Sequence, residues 1–289
     1  MISMLPNDRC AANANNRDEG RGRRLLRAEV TDKRLKQAAD LPFDLQPLPS
    51  ASLDDLDVDL FERGYLPNAV APEVLTENRR SVEDQLQAVR FLDRHSVPTV
   101  VGILVVGQDP RAFVPGDVVQ FVRFDGTELT DPVKDQKEID GPIPELLRRL
   151  DEVIESHNSV GLELGGGPTA VQRPEYPLPA LRQLIRNAVL HRDYESTHAP
   201  VRIYWFEDRV EIHSPGGPFG QVTPESFGEP GIADYRNPHL AEAMKVLGYV
   251  EKFGAGIQIA RRELERNGNP PLEFTVQPTR VLAVVRRAS

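Results

Sequence analysis

Tyr176-Pro177-Leu178-Pro179-Ala180-Leu181-Arg182-Gln183-Leu184-Ile185-Arg186-Asn187-Ala188-Val189-Leu190-His191-Arg192-Asp193-Tyr194 decides the fold. Two prolines punctuate its start, and the rest reads as one helix. Leu181, Leu184, Ile185, Ala188 and Val189 recur at helical spacing and make an apolar stripe. Gln183, Asn187 and His191 fall four apart and so share one helix edge. An amide pair, an imidazole and then Asp193 along that edge form a candidate polar site beside a buried face.

Working outward, 289 residues suffice for one large or two ordinary domains. Apolar residues make up 39% and charged residues 27%, a globular balance slightly poor in core residues. The net charge of −9 argues against broad, charge-driven nucleic-acid binding, though not against a local basic patch. No apolar run approaches the ~18 residues of a membrane span, and Met1 to Asn16 lack the apolar core of a secretory signal. Cys10 is the single cysteine, so no internal disulfide and no zinc cluster is expected, and the expected compartment is the cytoplasm.

Upstream of the helix, residues 1–24 are rich in Asn, Arg, Asp and Gly and read as a disordered tail. Arg17, Arg21, Arg23, Arg24 and Arg27 either form a nucleic-acid arm or, as the acidic whole favours, a solvated tail. Ser52 ahead of Asp54, Asp55, Asp57 and Asp59 predicts a helix start rather than a metal site, because the glycine and spacing of a calcium loop are missing. Ser81 to Arg94 predicts an amphipathic helix. Thr99 to Gly107 is a continuous apolar run and predicts a strand buried on both faces. Val118 to Phe124 predicts a second strand, turning at Asp125-Gly126, and 128–138 is expected to be extended. Pro144 opens a helix to about Ser156. Gly165-Gly166-Gly167 is not followed by Lys-Ser or Lys-Thr, so a phosphate loop fails and a linker over 161–175 is expected.

Downstream, Val201 to Phe206 and Val210 to His213 predict a hairpin turning at Glu207-Asp208-Arg209. Residues 218–236 lack periodicity and predict a lid or binding loop. Pro238 to Gly248 predicts a helix stopped by glycine, and Gly254-Ala255-Gly256 opens a last helix to about Asn267. Leu272 to Val276 and Arg280 to Arg287 predict closing strands.

Four motifs then stand in order: Asn187-Ala-Val-Leu-His-Arg-Asp193-Tyr194, Ser214-Pro-Gly-Gly217, Arg236-Asn237-Pro238, and Glu251-Lys-Phe-Gly-Ala-Gly256-Ile257. Together they resemble a bacterial and archaeal branch of the histidine-kinase-like (GHKL) ATPase superfamily, which includes gyrase B subunits, heat-shock chaperones, sensor kinases and MutL proteins. Leu41-Pro-Phe-Asp44, Ala51 to Leu56, Gly102 to Pro110 and Phe121 to Gly126 resemble the later part of the AlbA-like, Schlafen-type domain that accompanies this branch among transcriptional regulators. The strand-rich front of that domain and a winged helix beyond Ser289 have no counterpart in this sequence.

The resemblance implies an α+β (mixed α/β) fold: a histidine-kinase-like ATP-binding domain at 176–289 with helices on a mixed sheet, preceded by a partial AlbA-like region at 25–160. It implies ATP and magnesium as ligands, with Asn187 as the magnesium ligand and His191, Asp193, Ser214, Gly216, Gly217, Gly254 and Gly256 around the nucleotide. Ser214 stands where relatives carry an acidic or amide residue for the adenine amino group. Gln183 stands where superfamily ATPases carry the glutamate that activates water, and an amide takes no proton near neutral pH. The expectation is an ATP-binding regulatory switch, at most a slow ATPase. A nucleic-acid-associated transcriptional regulator and a degenerate interaction module are the alternatives. DNA and a second copy of the chain are candidate partners, and a membrane is not.

Overall fold

The computed structural model describes residues 41–71, 73–74, 80–163, 171–250 and 254–288. The arginine-rich tail and Cys10 lie outside the described residues, as do Glu251, Lys252 and Phe253 of the last motif.

The described chain opens with short helical pieces. Ser52 does not begin a full helix. Its backbone N–H donates to Asp55 Oδ2 at 2.7 Å, closing one 3₁₀ turn, Leu53–Asp55. Asp57 is the effective cap: its Oδ1 accepts from the Leu60 N–H at 2.9 Å. Helix α1 (Val58–Leu60) follows and passes through a wider π turn, Phe61–Tyr65, into α2 (Leu66–Ala69). Helix α3 (Val82–Ala88) starts at Ser81, whose hydroxyl accepts from the Asp84 N–H at 3.1 Å. It ends earlier than its pattern predicts, because Arg90 turns the chain with φ 66°.

The predicted strand at 99–107 is instead helix α4 (Val100–Val106), a correction to the sequence reading. Thr99 caps it, its hydroxyl accepting from the Gly102 N–H at 3.1 Å. All seven helical residues are buried. Gly102 lets the helix pass against the Phe91 backbone, where a Cβ would lie 2.2 Å from the Phe91 carbonyl oxygen. An apolar run buried on every side carries no periodicity, so helix and strand look alike in sequence, and the β-branched valines favour the wrong one.

A short helix α5 (Pro110–Phe113) leads to strands β1 (Val118–Phe124) and β2 (Val133–Asp140), then to helix α6 (Ile143–His157). Strands β3 (Val160–Glu163) and β4 (Val171–Pro174) pair antiparallel where a linker was expected, and residues 164–170 between them lie outside the described residues. Helix α7 (Leu178–Leu190) is the quoted helix. The hairpin β5 (Val201–Trp205) and β6 (Arg209–Pro215) falls where it was predicted. Helix α8 (Pro238–Val246), helix α9 (Gly256–Asn267) and strands β7 (Glu273–Gln277) and β8 (Arg280–Arg286) complete the chain.

The fold is mixed α/β. Its main sheet has six strands in the order β2-β1-β5-β6-β8-β7. Only β1 and β5 pair in parallel, with Phe121 opposite Ile203, and every other neighbour is antiparallel. Phe121, Ile203, Val210 and Val285 are fully buried on the face that takes the helices. The sheet therefore joins strands from before and after the expected 161–175 division, and from Phe43 onward the chain forms one unit. Helix α7 packs on β6 and against α6 and α9, which places its polar edge beside the start of α9.

Candidate nucleotide site

The apolar stripe on α7 buries Ala180, Leu181, Leu184, Ile185, Ala188 and Val189, turning its Gln183–Asn187–His191 edge into a cleft. Gln183 is buried and Asn187 half-buried. Neither amide makes a hydrogen bond among the described residues. The far wall is the N-terminus of α9. A Cβ on Gly256 would stand 2.9 Å from Gln183 Oε1 and 3.1 Å from Asn187 Nδ2, so glycine here leaves both amides room against the start of α9. Gly254 precedes it in the left-handed region with φ 66°.

The floor comes from β6 and the turn after it. Ser214 is buried, and its hydroxyl donates to the Ala188 carbonyl at 2.9 Å, tying the strand to α7. Gly216 holds φ 102°, and a Cβ there would press on Asp193 at 2.9 Å. A Cβ on Gly217 would strike the Pro278 carbonyl oxygen at 2.3 Å. Gln183, Asn187, His191, Ser214, Gly216, Gly217, Gly254 and Gly256 all line this one cleft.

Asp193 does not line it. Its carboxylate serves the turn behind the cleft, where Oδ1 accepts from the Ser196 N–H at 2.8 Å and Oδ2 lies 3.5 Å from Arg236 Nη1. His191 lines the cleft and stacks on Tyr235 with centroids 5.4 Å apart. Burial, with a smaller effect of the Arg236 charge, pushes its pKa down to about 4. At neutral pH the ring is uncharged and offers one N–H donor, not a cation.

The segment 216–237 contains no helix or strand and folds over the opening. Gln258 Nε2 and Arg261 Nη1, both from α9, donate to the Gly228 carbonyl at 2.8 and 3.0 Å. Phe227 meets Phe274 of β7 edge-on at 5.1 Å. Asp234 closes the loop on itself, its Oδ2 accepting from the Gln221 N–H at 3.2 Å. Phe219, Val222, Phe227 and Ile232 give the inner side of the loop an apolar lining, and Glu229 adds a carboxylate.

Several residues important to the site carry no assigned role in the sequence reading. Asn237 is buried, and its amide donates to the carbonyls of Leu190 at 2.7 Å and Arg192 at 2.9 Å. Arg192 is also buried, donating to the carbonyls of Thr197 and Ala199. Asp117 is buried as well, and burial pushes its pKa up to about 8 against the opposing pull of the Arg192 charge. Only a local sequence motif flagged Asn237, and nothing local flagged Asp117. Among the described residues no group of three His, Cys, Asp or Glu could hold a metal ion by itself.

Residues 198–285, which span the hairpin, the loop over the cleft and the last helices, match the family model described as "Putative ATP-dependent DNA helicase recG C-terminal". That match supports an ATPase-like domain over this stretch, and the α/β layering agrees with it. A crystal structure of the DIP2311 protein from Corynebacterium diphtheriae superposes with a TM-score of 0.64 at 22% identity, over 88% of this chain. At that identity the likeness is one of fold. The chain spans about half of that protein, 50% of its length. No curated protein matches the sequence. Among the described residues no helix is long and apolar enough to cross a membrane.

Proposed function

We propose that the cleft binds ATP with magnesium and acts as a nucleotide-responsive switch with weak or no hydrolysis. The observation that carries this reading is the meeting of Gln183 and Asn187 with Gly256 across the cleft. A mid-helix asparagine either bonds nearby backbone or turns its amide toward solvent or a ligand. Asn187 makes no such bond among the described residues, and its oxygen is left for a hard cation. The donor set fits magnesium only with a nucleotide present, since no carboxylate cluster accompanies Asn187. When bound, magnesium supplies positive charge to the triphosphate, and Asn187 is the side chain that would hold it.

The other residues fit the rest of a nucleotide. Leu184, Ile212 and Val222 offer apolar walls to a base. The Ser214 proton is committed to the Ala188 carbonyl, so its hydroxyl can only accept from a ligand, which suits an amino group. The N–H groups at the start of α9 suit phosphate. Gln183 stands at the water-activating position and cannot take a proton, which removes the ~10²–10⁴-fold a general base contributes. In this reading the protein is a cytoplasmic regulator whose upstream region, resembling an AlbA-like, Schlafen-type segment, relays the nucleotide state. Phosphate release from the wild type tests it: robust hydrolysis that Asn187→Ala abolishes would contradict a non-hydrolysing switch.

A further inference from the structure

Helix α8 is not capped by the residue in its own N-cap position. Asn237 holds that position and makes no side-chain cap. The cap comes from Asp44, 195 residues upstream of His239, with no exposed surface of its own. Its Oδ2 accepts from the His239 N–H at 2.6 Å and from the Leu240 N–H at 3.0 Å. Its Oδ1 lies 3.2 Å from His239 Nδ1, and the other ring nitrogen meets Arg90. A neutral ring with the proton on Nδ1 satisfies both neighbours, donating to Asp44 and accepting from Arg90.

Asparagine is itself a strong capping residue, so Asn237 would ordinarily serve α8. With Asp44 in that role, Asn237 is free to turn away and clasp the end of α7. Its two partners are both carbonyl oxygens, so its amide nitrogen must face them. Those carbonyls belong to Leu190 and Arg192, the residues on either side of His191. The Asn237 carbonyl oxygen is buried without a partner, so its donor side alone fixes its place.

We infer that Asp44 and Asn237 act together as positioning residues for His191, so that a residue far upstream sets the geometry of the cleft. Without the Asp44 carboxylate, two N–H groups at the start of α8 lose their acceptor. Asn237 then turns back to cap its own helix, and the clasp around His191 opens. The consequence for ligand affinity rests on the proposed nucleotide reading, whereas the consequence for the His191 ring does not.

The test uses the full chain as wild type, Asp44→Ala, Asp44→Asn, Asn237→Ala and the double alanine variant. NMR shifts and ring contacts of His191 at fixed pH and calorimetry with Mg-ATP are the two readouts. Asp44→Ala and Asn237→Ala should each move the His191 ring signals and weaken the ring's contacts with Tyr235, on which it stacks with centroids 5.4 Å apart. Each should weaken Mg-ATP at least tenfold, the double variant should be no worse than the more affected single, and Asp44→Asn, which keeps an acceptor, should stay close to the wild type. Unchanged His191 ring signals in Asp44→Ala overturn the inference even if the melting temperature falls. Should Asp44→Ala fail to fold, Asn237→Ala, which leaves the α8 cap intact, decides by the same ring signals. Absent Mg-ATP binding by the wild type would count against the nucleotide reading alone, with the ring signals still deciding this one.

Discussion

Gly256 stands so close to Gln183 that a methyl group on it would sit 2.9 Å from the Gln183 amide oxygen. This contact joins the helix quoted first to the glycine motif that begins the last helix. Gly256 does not hold a left-handed backbone, so what its missing Cβ spares is the placement of the two amide side chains. Gly256→Ala should turn the Gln183 and Asn187 amides aside, leave stability little changed, and weaken Mg-ATP. Chemical denaturation and calorimetry on the same variant check both parts.

In the proposed reading, Gln183→Glu places a carboxylate where water would be activated. It should raise phosphate release by about 10²-fold or more if positioning is otherwise intact. A wild-type rate equal to that of the variant would show that Gln183 is not what limits turnover.

The ring of His191 supplies a pH test. Its pKa falls from an ordinary 6.5 to about 4 in the folded chain, so between those values the unfolded chain binds more protons. Its contribution to stability is full above about pH 6.5 and is lost as pH falls toward about 4. The slope is at most about 1.4 kcal/mol per pH unit for one group. His191→Gln should flatten the acid limb of a stability profile measured by denaturant titration.

Asp117 works in the opposite sense. Burial raises its pKa from 3.8 to about 8, with Arg192 pulling it down and Asp140 adding to the rise. The folded chain therefore keeps this proton after the unfolded chain has lost it, and stability declines as pH rises from about 4 through about 8. Its Oδ2 is buried without a partner. Asp117→Asn should raise the melting temperature at pH 8.5 and do little at pH 5.

Much of this architecture was legible locally. The hairpin at 201–215, the glycine-stopped helix α8, the unstructured 218–236 loop and the closing strands all follow from turn residues and periodicity that act within a few positions. Helix α4 was not, because seven buried residues in a row erase the period that separates helix from strand. The β1–β5 pairing was not either, since a parallel pair needs a long crossover and leaves no local mark. At the site, one helix edge and two glycine motifs placed eight residues in one cleft. Asp193 fell behind it because its carboxylate is taken by the backbone of its own turn. The cap that Asp44 gives α8 was invisible for the plainest reason: its partners are nearly two hundred residues away.

The most direct measurement is a calorimetric titration of Mg-ATP into the full chain, run for the wild type and for Asn187→Ala. The account predicts saturable, magnesium-dependent binding to the wild type, little heat from ATP in EDTA, and loss of at least tenfold in affinity on Asn187→Ala at unchanged stability. Equal binding by both proteins, or none by the wild type at millimolar nucleotide, would contradict it.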